Sequence, residues 1–402
     1  MAEKVLVYQM WPLSWGTIKA MTLFLSKVKA LGADYVWLSP IYTSPWKNSG
    51  YDVSDHFSID TRFGTMADFD EFVKTAHRLG LKVIMDLVID STSTEHLWFQ
   101  TNKKAYYIWT KNKSADWQRL FTKESAWAYD EHTREYYLAI RHPAQADLEW
   151  FPGGIMNRVL AEYYKSVMSF WMHSHGVDGF RVGSSQLLNK GVYQKEMHLH
   201  DLLIGRKAAT AINEISNIYG GKTPVFMLEA FDRDGTAVEY YSEETDVEFI
   251  TNTVLKSTVT RSSESLNGLR SRIEKHSRNH KFMLNLESHD SVRFTSKTGL
   301  DGKEALDLMF SFENVNAICL YQGQELGLKN LPEKDLPLEK IIELDPGAVW
   351  KLRNNASPVS ILAHSPANNR LPLPLEEYAR QEQEKTSVLN HAKTVIQKWK
   401  AI

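Results

Sequence analysis

GVDGFRVGSS, residues 176–185, decides how the rest of the chain is read. Val177 to Val182 combines small and apolar residues with one arginine, and glycines flank it on both sides. That is the composition of a short buried strand. In barrel enzymes the ends of such strands carry the functional side chains. This strand runs through Arg181 and Val182 into Gly183, at the point where chemistry would want a carboxylate.

Working outward, the segments on either side alternate between strand and helix patterns. VLVYQM (5–10), ADYVWLSP (33–40) and LKVIMDLVI (81–89) read as strands, with helices predicted over 17–31 and 66–79. A helix over 156–174 leads into GVDGFRV. Beyond it come a helix near 200–218, the strand PVFMLEA, a helix near 234–242, the strand DVEFI, a helix over 264–277 and the strand KFMLNLE. A helix over 302–313, the strand NAICLY, a long polar segment over 323–378 and one last helix over 379–400 complete the chain. Strand-then-helix repeated about eight times predicts an α/β fold, a closed (β/α)8 TIM barrel. An open doubly wound sheet is the alternative, and the lack of a GxGxxG turn after the first strand weighs against its nucleotide-binding form. Residues 90–155 are aromatic, polar and weakly periodic, too long for an ordinary loop. They are expected to form an inserted subdomain over one face, with the barrel built from 1–89 and 156–402.

Composition narrows the function. The chain has 402 residues, 43% hydrophobic and 24% charged, with a formal net charge of −2. That balance gives no reason to expect nucleic acid or an anionic membrane as partner. The single Cys319 lies in the apolar run AICLY and is expected to be a buried, inert thiol. MAEKVLVYQMW lacks the basic start and apolar run of a secretory signal, so a cytoplasmic location is expected. Twelve Trp and 17 Tyr fit either a large aromatic core or rings for stacking on sugars.

The predicted strand ends collect acids. Gly50, Tyr51, Asp52 and Asp55 follow the second strand; Asp86, Asp90 and Ser91 end the third; Arg181 and Gly183 end the fourth. Glu229 ends the fifth, and Glu287, His289 and Asp290 end the seventh. A single acid there reads as a salt bridge or helix cap, but acids at four strand ends on one rim point to a site. Paired carboxylates of this kind suit glycoside chemistry, one donating a proton to the leaving oxygen while the other attacks the anomeric carbon.

These segments together resemble the α-amylase superfamily, glycoside hydrolase family 13, in its oligo-1,6-glucosidase and α-glucosidase branch. The resemblance is carried by VYQMWPLSW, LGADYVWLSPIYTSPWKNSGYDVSDH, DTRFGTMADFDEFVKTAHRLGLKVIMDLVI, QADLEW, GVDGFRV, FMLEAF, ESHDSVR and YQGQELGL, in that order. It implies that Glu229 is the general acid/base, Asp290 the transition-state stabiliser, His289 a sugar contact and Arg181 the nucleophile's arginine partner. It implies that Tyr51 and Asp52 line the innermost sugar subsite. A short α-glucoside oligosaccharide follows as ligand, with no cofactor.

The departures from the family pattern fall on the same rim. The family reads GFRxD where this chain reads GFRVG, so Gly183 stands at the nucleophile position, followed only by Ser184 and Ser185. The family's DxxxNH is here DLVIDS, with Asp90 for the Asn and Ser91 for the sugar-binding His. ARTPMQW corresponds loosely to NASPVS (355–360), which lacks the arginine expected to pair with Asp52; Arg370 is a nearby substitute. The DxDxxGD calcium loop is absent, so no metal is expected, and no counterpart of the family's C-terminal β-sandwich is expected within these residues. The expectation is a glucoside-binding protein with retaining hydrolysis lost or strongly impaired. The alternatives are an active α-glucosidase or glycosyl-transferring enzyme of altered mechanism, or an engineered nucleophile variant of one. Oligomeric state is not legible.

Overall fold

The structure is a computed structural model. It describes residues 3–102, 104–113, 119, 124–150, 155–183, 224–230, 236–244, 247–252, 255, 262–332, 335, 338–344 and 369–402. Ser184, Ser185, the helix expected near 200–218 and the NASPVS segment lie outside the described residues.

Eight parallel strands close into a barrel. They are β1 (Val5–Met10), β2 (Tyr35–Leu38), β3 (Lys82–Leu87), β4 (Gly179–Val182), β5 (Val225–Ala230), β6 (Phe249–Asn252), β7 (Phe282–Leu284) and β8 (Ala317–Tyr321). Each pairs with its sequence neighbours, and β8 returns to β1 in the register Val5 to Ala317 and Gln9 to Tyr321. Seven fall inside the runs that the sequence marks as strands, and β6 starts within DVEFI and runs two residues past it to Asn252.

Period-two alternation explains what fills the barrel. Val7, Trp37, Ile84, Met227, Phe249, Met283, Ala317 and Cys319 pack together as one buried cluster. Cys319, the one cysteine of the chain, is buried among them. Two residues further along six of these strands the side chains turn polar, at Gln9, Ser39, Asp86, Glu229, Thr251 and Asn285, and Arg181 of β4 joins them two residues past Gly179; all are buried. That second layer forms the floor of the mouth at the strands' carboxyl ends.

The described helices pack outside the strands. The longer ones are α1 (Ile18–Ala30), α2 (Met66–Arg78), α3 (Ile155–Ser169), α4 (Thr236–Glu244), α5 (Ser263–His276), α6 (Gly302–Phe310), α7 (Leu375–Gln383) and α8 (Val388–Lys400). α2 begins at a capping box in which Thr65 accepts from the Asp68 N–H and Asp68 accepts from the Thr65 N–H. α3 runs into a π-helical turn over Phe170–Ser174 just before β4.

One expectation is corrected here. The single last helix predicted over 379–400 is two helices. The backbone becomes extended at Glu384, and Ser387 then caps α8 by accepting from the Asn390 N–H. A serine that serves the backbone in this way starts a helix and does not continue one. The polar segment after β8 also holds a short helix, Leu338–Leu344.

Between β3 and α3 lie two small sheets. Ser91–Ser93 pairs with Gln145–Asp147, and Trp109–Thr110, Glu135–Leu138 and Trp127–Asp130 form a three-stranded sheet. Among the described residues no helix is long and apolar enough to cross a membrane.

Candidate active site

The floor of the mouth is organised by Arg181. Its Nη1 donates to Asp86 Oδ2 at 3.1 Å, and its Nη2 donates to Glu229 Oε2 at 2.7 Å. Period two along β4 aims this side chain inward, and the indole of Trp37 lies under the guanidinium, 5.0 Å from its ring centre. Burial works against the charge on Arg181, but Asp86 and Glu229 outweigh it and hold the arginine more firmly protonated than usual.

Asp86 is saturated. Oδ1 accepts from the Trp37 indole N–H at 2.7 Å, and Oδ2 accepts from the Tyr51 hydroxyl at 2.7 Å as well as from Arg181. Burial raises its carboxyl above the ordinary aspartate range even with Arg181 and His289 beside it. Tyr51 in turn sits 2.7 Å from His289 Nε2. Gln9 fixes which imidazole nitrogen carries the proton. Its amide N–H reaches His289 Nδ1 at 2.7 Å and can only donate, so Nδ1 accepts and Nε2 is the donor. Trp11 stacks flat on that ring at 4.7 Å and 10°.

Asp290 completes the circuit. Its Oδ2 is 3.1 Å from His289 Nε2, and its Oδ1 accepts from Arg370 Nη2 at 2.9 Å. Arg370 is buried over the Trp11 ring and also donates to the His289 carbonyl and to Ser49 Oγ. Glu229, Arg181, Asp86, Tyr51, His289 and Asp290 therefore form one continuous polar chain, although they come from five strand ends.

Two expected site residues sit differently. Asp52 is fully buried, and its carboxylate accepts from the Lys47 N–H at 2.8 Å, the Asn48 N–H at 3.0 Å and Ser44 Oγ at 3.1 Å. It staples a loop in which Trp46 and Ser49 both take positive φ, a conformation that costs energy without such support. Arg370, the candidate partner for Asp52, reaches Asp290 and Ser49. Ser91 Oγ accepts from the Gln145 amide at 2.8 Å, and the same amide donates to the Tyr51 carbonyl at 3.0 Å.

Gly183 follows β4 directly. A Cβ at this position would lie 2.6 Å from Arg181 Nη1 and 3.0 Å from its Cζ. The guanidinium occupies the space that a side chain at 183 would enter. Next along the rim, Asp90 Oδ2 accepts from Arg141 Nε at 2.9 Å. Asp86 was legible as a rim acid but carried no assigned role, and Gln9, Trp11, Trp37 and Arg141 were not singled out. For Gln9 and Asp86 a signal existed: each lies two residues past an apolar inward-facing residue of its own strand.

Among the described residues no cluster of His, Cys, Asp or Glu is arranged to hold a metal ion. Each of the four acids around the mouth meets a guanidinium: Asp86 and Glu229 meet Arg181, Asp90 meets Arg141, and Asp290 meets Arg370.

The chain is 30% identical over 392 residues, 82% of its own length and 66% of the relative's, to an oligo-1,6-glucosidase of Parageobacillus thermoglucosidasius. Over 208 residues, 47% of this chain and 36% of the relative, it is 36% identical to a trehalose-6-phosphate hydrolase of Bacillus subtilis (strain 168). It spans just under two thirds of the first of these relatives. Its fold superimposes on the solved trehalose-6-phosphate hydrolase of Bacillus licheniformis with a TM-score of 0.79 at 24% identity, covering 100% of this chain and 84% of that one. It superimposes on the trehalulose synthase of Pseudomonas mesoacidophila with a TM-score of 0.79 at 20% identity, covering 99% and 84%. At such identities the likeness is one of fold. Residues 11–392 match the alpha-amylase family's catalytic domain, and the chain belongs to that family.

Proposed function

We propose that this protein binds short α-glucosides at the mouth of the barrel and has lost, or nearly lost, retaining hydrolysis, with Gly183 at the position of the nucleophile. One observation carries this reading: the room beside Gly183 is filled by the guanidinium of Arg181, which donates to Glu229. A retaining glycosidase needs one carboxyl group that arrives protonated and a second that attacks. Here the second is missing. The first is tied up by a charge-assisted hydrogen bond from Arg181 Nη2 at 2.7 Å. Loss of a nucleophile costs on the order of a millionfold in turnover in the protease precedent.

Relatives support a sugar ligand. Trehalulose synthase, of the same fold, has been solved with its substrate sucrose and with isomaltulose. In this chain the polar floor and the half-buried Tyr51, backed by the buried Trp11–His289 stack, offer the mixture of a ring and hydrogen-bonding groups that sugars require. We read residues 90–155 as the inserted subdomain that roofs one side of this mouth.

The test is release of p-nitrophenol from p-nitrophenyl α-glucoside, with and without formate, beside calorimetry with isomaltose and maltose. Saturable binding of either disaccharide without release is the expected result. Vigorous release without formate overturns the loss of hydrolysis, and absence of binding overturns the ligand.

A further inference from the structure

Resting on that reading, we infer that Arg141 is a ligand-reading residue of the mouth, presenting the outer edge of its guanidinium to a pair of neighbouring hydroxyl oxygens on a neutral glucoside.

The side chain arrives from the segment between β3 and α3 and is held by one bond, Nε to Asp90 Oδ2 at 2.9 Å. Asp90 is itself buried, and its Oδ1 accepts from Ser91 Oγ at 3.3 Å, so the anchor is rigid. A guanidinium carries five N–H donors in a fixed plane, and the anchor uses one. Among the described residues the four donors on Nη1 and Nη2 have no partner, and neither nitrogen is sealed from solvent. The side chain as a whole is only 18% exposed, so what remains open is this edge.

The anchor places the guanidinium at the rim: Asp90 lies just past β3 beside Ser91, whose Oγ accepts from the Gln145 amide that also donates to the Tyr51 carbonyl. Burial works against the charge on Arg141, but Asp90 first, and then Glu229 and Asp147, outweigh it. Donors left unmet in a largely buried side chain are costly unless water or a ligand meets them. The geometry suits a planar pair of acceptors, the arrangement at which arginine outperforms lysine. Because Asp90 already neutralises the guanidinium, the edge offers donors without a net positive charge. It therefore suits uncharged oxygens and not an anion. Asp90 acts through Arg141 and is a positioning residue.

The experiment measures isomaltose and maltose binding by calorimetry, and thermal stability, for the full chain and four variants: Arg141→Met, Arg141→Lys, Asp90→Asn and the double variant Arg141→Met/Asp90→Asn. Arg141→Met is expected to weaken the better disaccharide about tenfold or more. Arg141→Lys keeps the charge beside Asp90 but not the planar edge, and is expected to retain stability while losing most of that affinity. The double variant removes the unpaired buried carboxylate, so it should recover the stability lost in Arg141→Met without recovering the affinity. Asp90→Asn should weaken binding severalfold by freeing the anchor. Affinity unchanged in Arg141→Lys and in the double variant overturns this inference and leaves the functional reading standing. No binding by the unsubstituted chain overturns both. Tighter binding of methyl α-glucuronide than of methyl α-glucoside, lost in Arg141→Met, overturns the neutral ligand.

Discussion

Two buried polar networks lie close together beyond the end of β3, and they handle charge in opposite ways. In the mouth, Asp86, Arg181 and Glu229 are all buried and bound to one another as an ion-pair lattice. Nearby in space, tied to β3's end through the Val88 carbonyl, His56, Tyr163 and His96 form a network without a counter-ion in contact among the described residues. The Trp98 N–H donates to His96 Nδ1 at 3.2 Å, which leaves the proton on Nε2, facing the Tyr163 hydroxyl at 3.5 Å. Tyr163 then serves His56 Nδ1 at 3.2 Å, and His56 Nε2 donates to the Val88 carbonyl at 3.2 Å. Every link uses one proton, and an extra proton has no acceptor waiting for it. The comparison teaches that a titratable group can be buried here in two ways: charged with a partner, or neutral within a directional chain of hydrogen bonds.

The largest expected effect comes from breaking the charged side. Arg181→Met leaves Asp86 and Glu229 buried without their cation, which costs about 3–5 kcal/mol. Denaturant unfolding should show it as a lower midpoint with an unchanged slope. Arg181→Lys should recover part of the loss, because one ammonium cannot span both carboxylates as the fork does. A loss below about 1 kcal/mol in Arg181→Met would mean that the lattice is not what holds the mouth together.

The neutral side breaks with acid. Burial, reinforced by His96, lowers the His56 pKa to about 3, and burial lowers that of His96 to about 4. Asp55 opposes both shifts, and the phenols of Tyr42, Tyr163 and Tyr164 face His56 without supplying charge. Both folded values lie below the unfolded value of 6.5, so the unfolded chain binds the extra protons. The stability is fully present above pH 6.5 and drains as pH falls toward the folded values. By pH 5 each histidine should have cost roughly 2 kcal/mol relative to pH 8. His56→Gln should flatten that slope by about its own share, measured as the midpoint difference between pH 8 and pH 5. An unchanged slope would show that the histidine network titrates freely.

Most of this architecture is written in local pattern. All eight barrel strands sit where alternating or continuous apolar runs are bounded by Gly, Pro or polar residues, and the rim acids follow from those strand ends. What the pattern hides is direction. Asp52 and Asp86 look alike as acids beside apolar stretches. One folds back on the N–H groups of its own loop, while the other meets Arg181 from a strand almost a hundred residues away. Arg141 and Arg370 come from irregular segments with no periodicity to aim them. The break between α7 and α8 hides because Ser387 is a weak signal inside a run of good helix formers. Gly183 is the converse case. Its identity is plain in the sequence, but only the structure shows that Arg181 fills the space beside it.

The smallest effect is expected where the charged network reaches solvent. Asp290 is bonded to Arg370 and His289, yet its side chain is 58% exposed, whereas Arg370 is buried. Water screens such a half-open pair, so Asp290→Asn should change stability by no more than about 1 kcal/mol, and by less in high salt. The amide keeps the shape and can still accept from Arg370 through its oxygen. The same substitution at the fully enclosed Asp86 would strip charge from a carboxylate that also holds Trp37 and Tyr51, and should cost several times more. Measured side by side at two salt concentrations, Asp290→Asn and Asp86→Asn locate the boundary between pairs that hold the barrel end together and pairs free to reorganise around a ligand. If the two variants lose equal stability, enclosure does not set that boundary, and the mouth is a uniformly rigid lattice up to its rim.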